Sequence, residues 1–151
     1  MANIKAAKER QEEARRKLDR RGLDERALET QRPIFWNALI ERIGNAVGQF
    51  NEDVPLARPI QFTKKSDRMV SVTKEGMPFF SINLDYQESQ NRILYNQSTR
   101  ETPGQSIMTS TEIFTFDVDE DGQVWLLLHG QRLNIDDAAD RMVTPLFETI
   151  T

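Results

Sequence analysis

The sequence predicts an α+β domain with a helical N-terminal arm, an antiparallel β-meander of five or six strands and a C-terminal helix packed on the sheet. Apolar residues recur at three- and four-residue steps up to residue 50, alternate with polar residues from Ile60, and return to helical spacing after residue 134. Short polar turns leave no room for crossover helices, which disfavours parallel pairing. We therefore expect helices to cover one face of the sheet.

Composition restricts the chemistry of this chain. It has 151 residues, no cysteine and one histidine, His129. Disulfides and thiolate metal sites are therefore excluded, and a histidine-based zinc site is disfavoured. No apolar run approaches the ~20 residues that span a bilayer, and the N-terminus lacks the apolar core of a secretory signal. We predict a soluble, cytoplasmic protein with no cofactor and no membrane association.

Charge divides the chain into two parts. Residues 1–32 hold ten basic and seven acidic side chains, a net charge of +3. The remaining residues hold ten basic and 17 acidic side chains, a net charge of −7. We interpret residues 1–32 as a charged helical arm and residues 33–151 as a single α+β domain.

The arm begins with a segment, Ala2 to Arg21, that is built from strong helix formers. Its apolar stripe is thin, and Gln11 interrupts it. A helix with so little apolar surface buries little, so we expect it to fray, to pack loosely or to find a partner. Gly22 predicts that this helix ends there and that a new helix begins after it. The stripe consists of Ile4, Ala7, Ala14 and Leu18.

Two further helices are predicted, one on each side of the strands. Pro33 fits the first turn of the earlier helix, where its missing N–H costs nothing, or it kinks one longer helix. Gly44 and Gly48 lie near the apolar face of this helix and would let another backbone approach. The C-terminal helix has Asn134 as its N-cap and should end or kink near Pro145. The apolar face of the earlier helix is formed by Trp36, Leu39, Ile40, Ile43, Val47 and Phe50.

The segment from Phe114 to Gly130 contains D-V-D-E-D-G, which matches the first half of an EF-hand calcium loop. Position 12 of that loop is Leu128, which offers no ligand, and the flanking residues are typical of strands. A hairpin with a three-residue loop at residues 120–122 fits better, with Gly122 at positive φ. This register sets six apolar side chains on one face: Phe114, Phe116, Val118, Val124, Leu126 and Leu128.

We predict no metal site at the hairpin tip. The weaker alternative is a divalent cation held by Asp117, Asp119 and Asp121, because a cation would relieve the repulsion among three close carboxylates.

The same register directs Trp125, Leu127 and His129 away from the main core. An exposed Trp–Leu pair needs a cover, and one of the chain's own helices would provide it. The functional alternative is a partner surface, since exposed apolar patches rimmed by polar groups mark interaction sites.

Catalytic and nucleic-acid functions have little support in the sequence. No serine or cysteine nucleophile is placed to pair with His129, so a catalytic role for this residue is disfavoured. The basic residues between 15 and 21 lie in an arm without aromatic side chains, beside an acidic body, so nucleic-acid binding is disfavoured as well. The basic cluster consists of Arg15, Arg16, Lys17, Arg20 and Arg21.

These observations favour a non-enzymatic module for protein interaction or oligomerisation, for example a homodimer through the N-terminal helix. The first alternative is a small-molecule binder or an enzyme, with a pocket between the sheet and the helix around Trp36. The second is weak nucleic-acid binding through the basic arm. The predicted binding residues are Trp125, Leu127, His129 and Trp36.

Overall fold

In chain order, a long helix is followed by seven strands and then by a second helix. The structure, a computed structural model, describes residues 2–150. Helix α1 spans Ala2–Asp53 and helix α2 spans Ile135–Ile150. A short 3-10 helix, Glu88–Gln90, joins the third and fourth strands. The strands are β1 (Gln61–Ser66), β2 (Met69–Lys74), β3 (Phe79–Gln87), β4 (Arg92–Arg100), β5 (Met108–Val118), β6 (Val124–Leu128) and β7 (Gln131–Leu133).

The strands form one sheet in the order β1 to β7, and every neighbouring pair is antiparallel. The structure thus confirms the α+β class and the meander, with seven strands where five or six were expected. The short strand β7, Gln131–Leu133, raises the number to seven, and residues 96–100 lengthen β4 alongside β3. Their polar side chains do not conflict with a strand, because an antiparallel sheet can expose one face to water.

The hairpin register predicted for β5 and β6 is confirmed. Gly122 has φ +79°, and the Asp119 N–H donates to the Gln123 carbonyl at 3.0 Å. Val118 pairs with Val124, and Phe116 pairs with Leu126. A one-residue slip would have turned the apolar side chains to the opposite face, so the loop length fixes the core side of this hairpin.

Both helices pack against the same face of the sheet, which we call the inner face. On this face the Phe35 ring of α1 meets the Phe116 ring edge-on at 5.8 Å, and the Tyr95 hydroxyl donates to the Met142 carbonyl of α2 at 3.0 Å. The helices also contact each other. The core includes Trp36, Leu39, Ile43, Val47, Val72, Phe80, Ile82, Leu84, Ile93, Phe114, Leu126, Met142 and Leu146.

Helix α1 is continuous, so the predicted break at Gly22 is wrong. The boundary predicted between residues 32 and 33 also falls inside this helix. Strong helix formers lie on both sides of Gly22 and outweigh its cost of about 1 kcal/mol. Pro33 removes one backbone hydrogen bond, but Phe35 and Trp36 are buried directly after it and anchor that turn to the sheet.

Helix α2 begins as predicted, since the Asn134 side chain accepts the Asp137 N–H at 2.7 Å. It does not end near Pro145 but continues to Ile150. Leu146 is fully buried immediately after the proline, and this burial holds the last turns on the sheet.

Candidate functional site

The first third of α1 lies in solvent and forms no part of the core. Every side chain from residue 3 to residue 19 is exposed, apart from the half-buried Ala6. Ile4 and Leu18, the two large apolar side chains of the predicted stripe, are 64% and 65% exposed. We call residues 3–19 the free arm.

The free arm ends at the tip of the β5–β6 hairpin. There the Arg20 guanidinium donates to the Asp119 carbonyl at 2.9 Å, and the Gln31 amide donates to the Gly122 carbonyl at 3.0 Å. Leu28 packs against the edge of the core between these two contacts. At about 1.5 Å per residue, the preceding turns of helix extend roughly 27 Å beyond this support.

Basic side chains flank the apolar stripe of the free arm on both sides. At about 100° per residue, Lys8 and Arg15 lie on one side of the stripe, and Arg10 and Lys17 lie on the other. Two acidic residues lie at the outer edge of the first side. These are Glu12 and Asp19, and the opposite face carries Lys5, Glu9, Glu13 and Arg16.

The predicted basic cluster is divided among these faces. Arg15 and Lys17 border the stripe from opposite sides, whereas Arg16 lies on the face opposite the stripe, 4.0 Å from Glu12. Arg20 is directed back to the hairpin and to Asp24, 3.2 Å away. The five residues therefore do not make one basic surface.

At the acidic hairpin tip, the Asp119 carboxylate accepts hydrogen bonds from the hairpin itself. One oxygen of Asp119 accepts the backbone N–H groups of Asp121 and Gln123, and the other accepts Trp125 Nε1, each at 2.9 Å. The Trp125 bond first, and then the Gln123 bond, lower the pKa of Asp119. Asp119 is therefore a turn cap that also orients the Trp125 indole.

The other tip carboxylates point elsewhere. Asp117 accepts a hydrogen bond from Arg132 Nε at 2.7 Å, and Asp121 is exposed. Within residues 2–150, no group of three or more acidic or histidine side chains is arranged to hold a metal ion.

The second sheet face, which we call the outer face, is not covered by a helix, because α1 and α2 both occupy the inner face. The expected helical cover for Trp125 and Leu127 is therefore wrong. Both side chains are half-buried by their sheet neighbours, and Ile113 on the same face is 48% exposed. Leu127 lies between Thr115 and Arg132 in the ladder, so polar side chains interrupt the apolar patch.

His129 does not share that face, contrary to the sequence prediction. It occupies the two-residue turn between β6 and β7, with φ +51°, followed by Gly130 with φ +79°. Positive φ at both central positions defines a type I′ turn, which suits the twist of a hairpin. The His129 side chain is exposed and lies outside the Trp125–Leu127 patch.

A cleft of about 410 Å³ opens beside Trp36, between α1 and the β1–β2 hairpin. Trp36 is only 3% exposed, and its Nε1 donates to the Asp67 carbonyl at 2.8 Å. Charged and polar side chains form much of the lining. These residues are Asn37, Lys64, Ser66, Asp67, Arg68 and Glu88.

Two buried polar atoms that the sequence does not indicate belong to Tyr86, which lines the cleft, and to Arg32 of α1. The Tyr86 hydroxyl and Arg32 Nε are both buried without a hydrogen-bond partner among residues 2–150. Burial, followed by the charge of Glu88, raises the pKa of Tyr86. An ion pair between Arg68 and Glu88, 2.7 Å apart, lies at the rim.

Neither described helix combines the length and the apolar content that crossing a bilayer requires. Comparison of the chain with protein-family models, with curated proteins and with solved structures gives no match.

Proposed function

We propose that this chain is a non-enzymatic protein-interaction module and that the free arm is its docking element. The observation that carries this proposal is the exposure of residues 3–19, including Ile4 and Leu18, on a helix whose later turns are firmly packed. The docked partner is another protein or a second copy of the chain, and a cytoplasmic location belongs to the same proposal.

Helix energetics support a docking role. Most helical stability in proteins comes from packing of an apolar face. Within the part of the chain that the structure describes, the free arm has no such packing. A partner that covered the stripe would supply the missing burial, at roughly 25 cal/mol per Å² of apolar surface.

The hydrogen bonds between α1 and the hairpin tip also favour a docking role for the free arm. Arg20 and Gln31 bind the hairpin backbone on either side of Leu28, so the base of the free arm has a fixed direction. A binding element that is already oriented loses less freedom when it docks.

The test compares the full-length chain with the double variant Ile4→Asp/Leu18→Asp. Self-association is measured by size-exclusion chromatography with light scattering, and binding of other proteins by affinity capture from the source cell. We expect either a dimer or one specifically retained protein, lost in the double variant. The matched control is Leu23→Asp/Ile34→Asp, which alters two equally exposed residues on another face of α1. A monomer that retains no protein in an Ile4- and Leu18-dependent way would contradict the proposal.

The cleft beside Trp36 supports a second candidate function, the binding of a small polar molecule. Its rim offers Lys64 and Asn37, whose side chains form no hydrogen bond or ion pair within the described chain. The test is an NMR titration with a set of small carboxylates and phosphates. A binder should shift the Trp36 indole signal and leave the Trp125 indole unchanged, and Lys64→Ala should weaken it. An unchanged Trp36 signal across the set would argue against this function.

A further inference from the structure

We infer that the partner of the free arm is an acidic amphipathic helix of another protein, carrying large apolar side chains along its seam. This inference rests on the proposed function and specifies the chemistry of the partner. Its basis is the arrangement of small and basic residues around the stripe of Ile4 and Leu18.

The stripe has the spacing of a coiled-coil seam. Residues 4, 7, 11, 14 and 18 alternate steps of three and four, which is the a and d pattern of a heptad repeat. Three of these positions are small or polar: Ala7, Gln11 and Ala14. Two such seams would meet with little apolar contact, whereas large side chains from a partner would fill the space above the alanines.

The flanks of the seam are basic on both sides. Lys8 and Arg15 occupy the e positions, and Arg10 and Lys17 occupy the g positions. Lys8, Arg10 and Arg15 have no hydrogen bond or ion pair within the described chain. Lys17 lies 3.8 Å from Glu13, in a pair whose side chains are 79% and 69% exposed, and such surface pairs contribute little.

This charge pattern disfavours a second copy of the chain as partner. In a parallel pair the g residues of one helix face the e residues of the other, which sets Arg10 against Arg15. In an antiparallel pair e faces e and g faces g, so like charges meet again. Acidic residues at the e and g positions of a foreign helix would convert each of these repulsions into an attraction. Because an alanine-rich seam distinguishes poorly between partners, these flanking charges would supply the specificity.

Other polyanions fit the free arm less well. A membrane-bound amphipathic helix needs large apolar residues along its buried face, and this stripe holds only two. Single-stranded nucleic acid is bound through aromatic stacking, and residues 3–19 contain no aromatic side chain.

The test uses the full-length chain and a fluorescent three-heptad peptide with Leu at a and d and Glu at e and g. A matched peptide carries Lys at e and g. By anisotropy we expect the acidic peptide to bind about tenfold or more tightly than the basic one, since every flank pair is attractive with the first peptide and repulsive with the second. Added salt should reduce this preference. The variant Lys8→Glu/Arg10→Glu/Arg15→Glu/Lys17→Glu should reverse it.

Several outcomes would overturn the inference. These are equal binding of both peptides, binding that survives Ile4→Asp/Leu18→Asp, or tighter binding to phosphatidylserine vesicles or duplex DNA than to the acidic peptide. A dimer of the unmodified chain that depends on Ile4 and Leu18 would also overturn it, although the docking role of the free arm would then stand. If the chain binds neither peptide, the inference is wrong; if it also does not self-associate and retains no protein through Ile4 and Leu18, the docking role is wrong as well.

Discussion

At the scale of single residues, the hydrogen bonds of Asp119 determine the structure of the acidic hairpin tip. Its carboxylate accepts three N–H groups, from Trp125, Gln123 and Asp121, which closes the turn. In a calcium loop the same oxygens would be directed at the cation. The D-V-D-E-D-G motif is therefore compatible with a hairpin because an aspartate oxygen accepts backbone N–H groups as readily as it binds a cation.

The lowered pKa of Asp119 predicts a pH dependence of stability. The folded pKa lies below the ordinary value of 3.8, so the folded state binds this proton less tightly than the unfolded chain does. The contribution of the carboxylate is complete above 3.8 and is lost as the pH falls through the folded pKa. Urea unfolding followed by tryptophan fluorescence should show this loss. In Asp119→Asn the slope below pH 4 should be smaller, and an unchanged slope would show that Asp119 is not its source.

His129 is a second residue whose backbone determines its role. A side chain at φ +51° is strained in the left-handed region, where only glycine and, less often, asparagine or aspartate are common. We expect His129→Val to lower the free energy of unfolding by about 1–2 kcal/mol, because a β-branched residue tolerates this region least. His129→Asn should change it by less than about 0.5 kcal/mol. Chemical denaturation measures both, and equal effects would contradict a backbone origin.

At the scale of elements, two predictions based on local signals were confirmed and two were wrong. The β5–β6 register followed from one glycine and the alternation around it, and the start of α2 followed from Asn134. Breaks expected at Gly22 and Pro145 did not occur, because the neighbouring residues sustain each helix. The contact of Arg32 with Asn91, 2.9 Å apart and 59 positions distant in the chain, has no local signal at all. The lining of the cleft likewise comes from α1, the β1–β2 hairpin, β3 and the 3-10 helix, so it could not be assembled from the sequence beyond Trp36.

Alanine substitutions at two glycines of α1 test separately the stability of the arm and the stability of the packed domain. A methyl group at Gly22 or Gly48 would meet no atom within 4 Å, so alanine fits at both. Gly48 lies in the packed part of α1, and Gly48→Ala should raise the midpoint of thermal unfolding by about 2–4 °C. Gly22→Ala should increase the helical circular dichroism signal of the arm with little change in that midpoint. Equal shifts of the midpoint would indicate that the arm unfolds together with the core.

At the scale of the whole molecule, the chain combines a rigid body with an exposed extension of one of its own core helices. From Phe35 onward α1 packs on the sheet, whereas every described side chain from residue 3 to residue 19 is exposed, apart from the half-buried Ala6. Amide hydrogen exchange should therefore be fast in residues 3–19 and slow in residues 35–47, although both belong to one helix. Peptide-resolved mass spectrometry measures this contrast. Addition of the acidic peptide should slow exchange in residues 3–19, and the Ile4→Asp/Leu18→Asp variant should remain unprotected. Slow exchange of residues 3–19 in the isolated monomer would mean that the stripe is already covered within the chain, and a docking function would then have no surface to use.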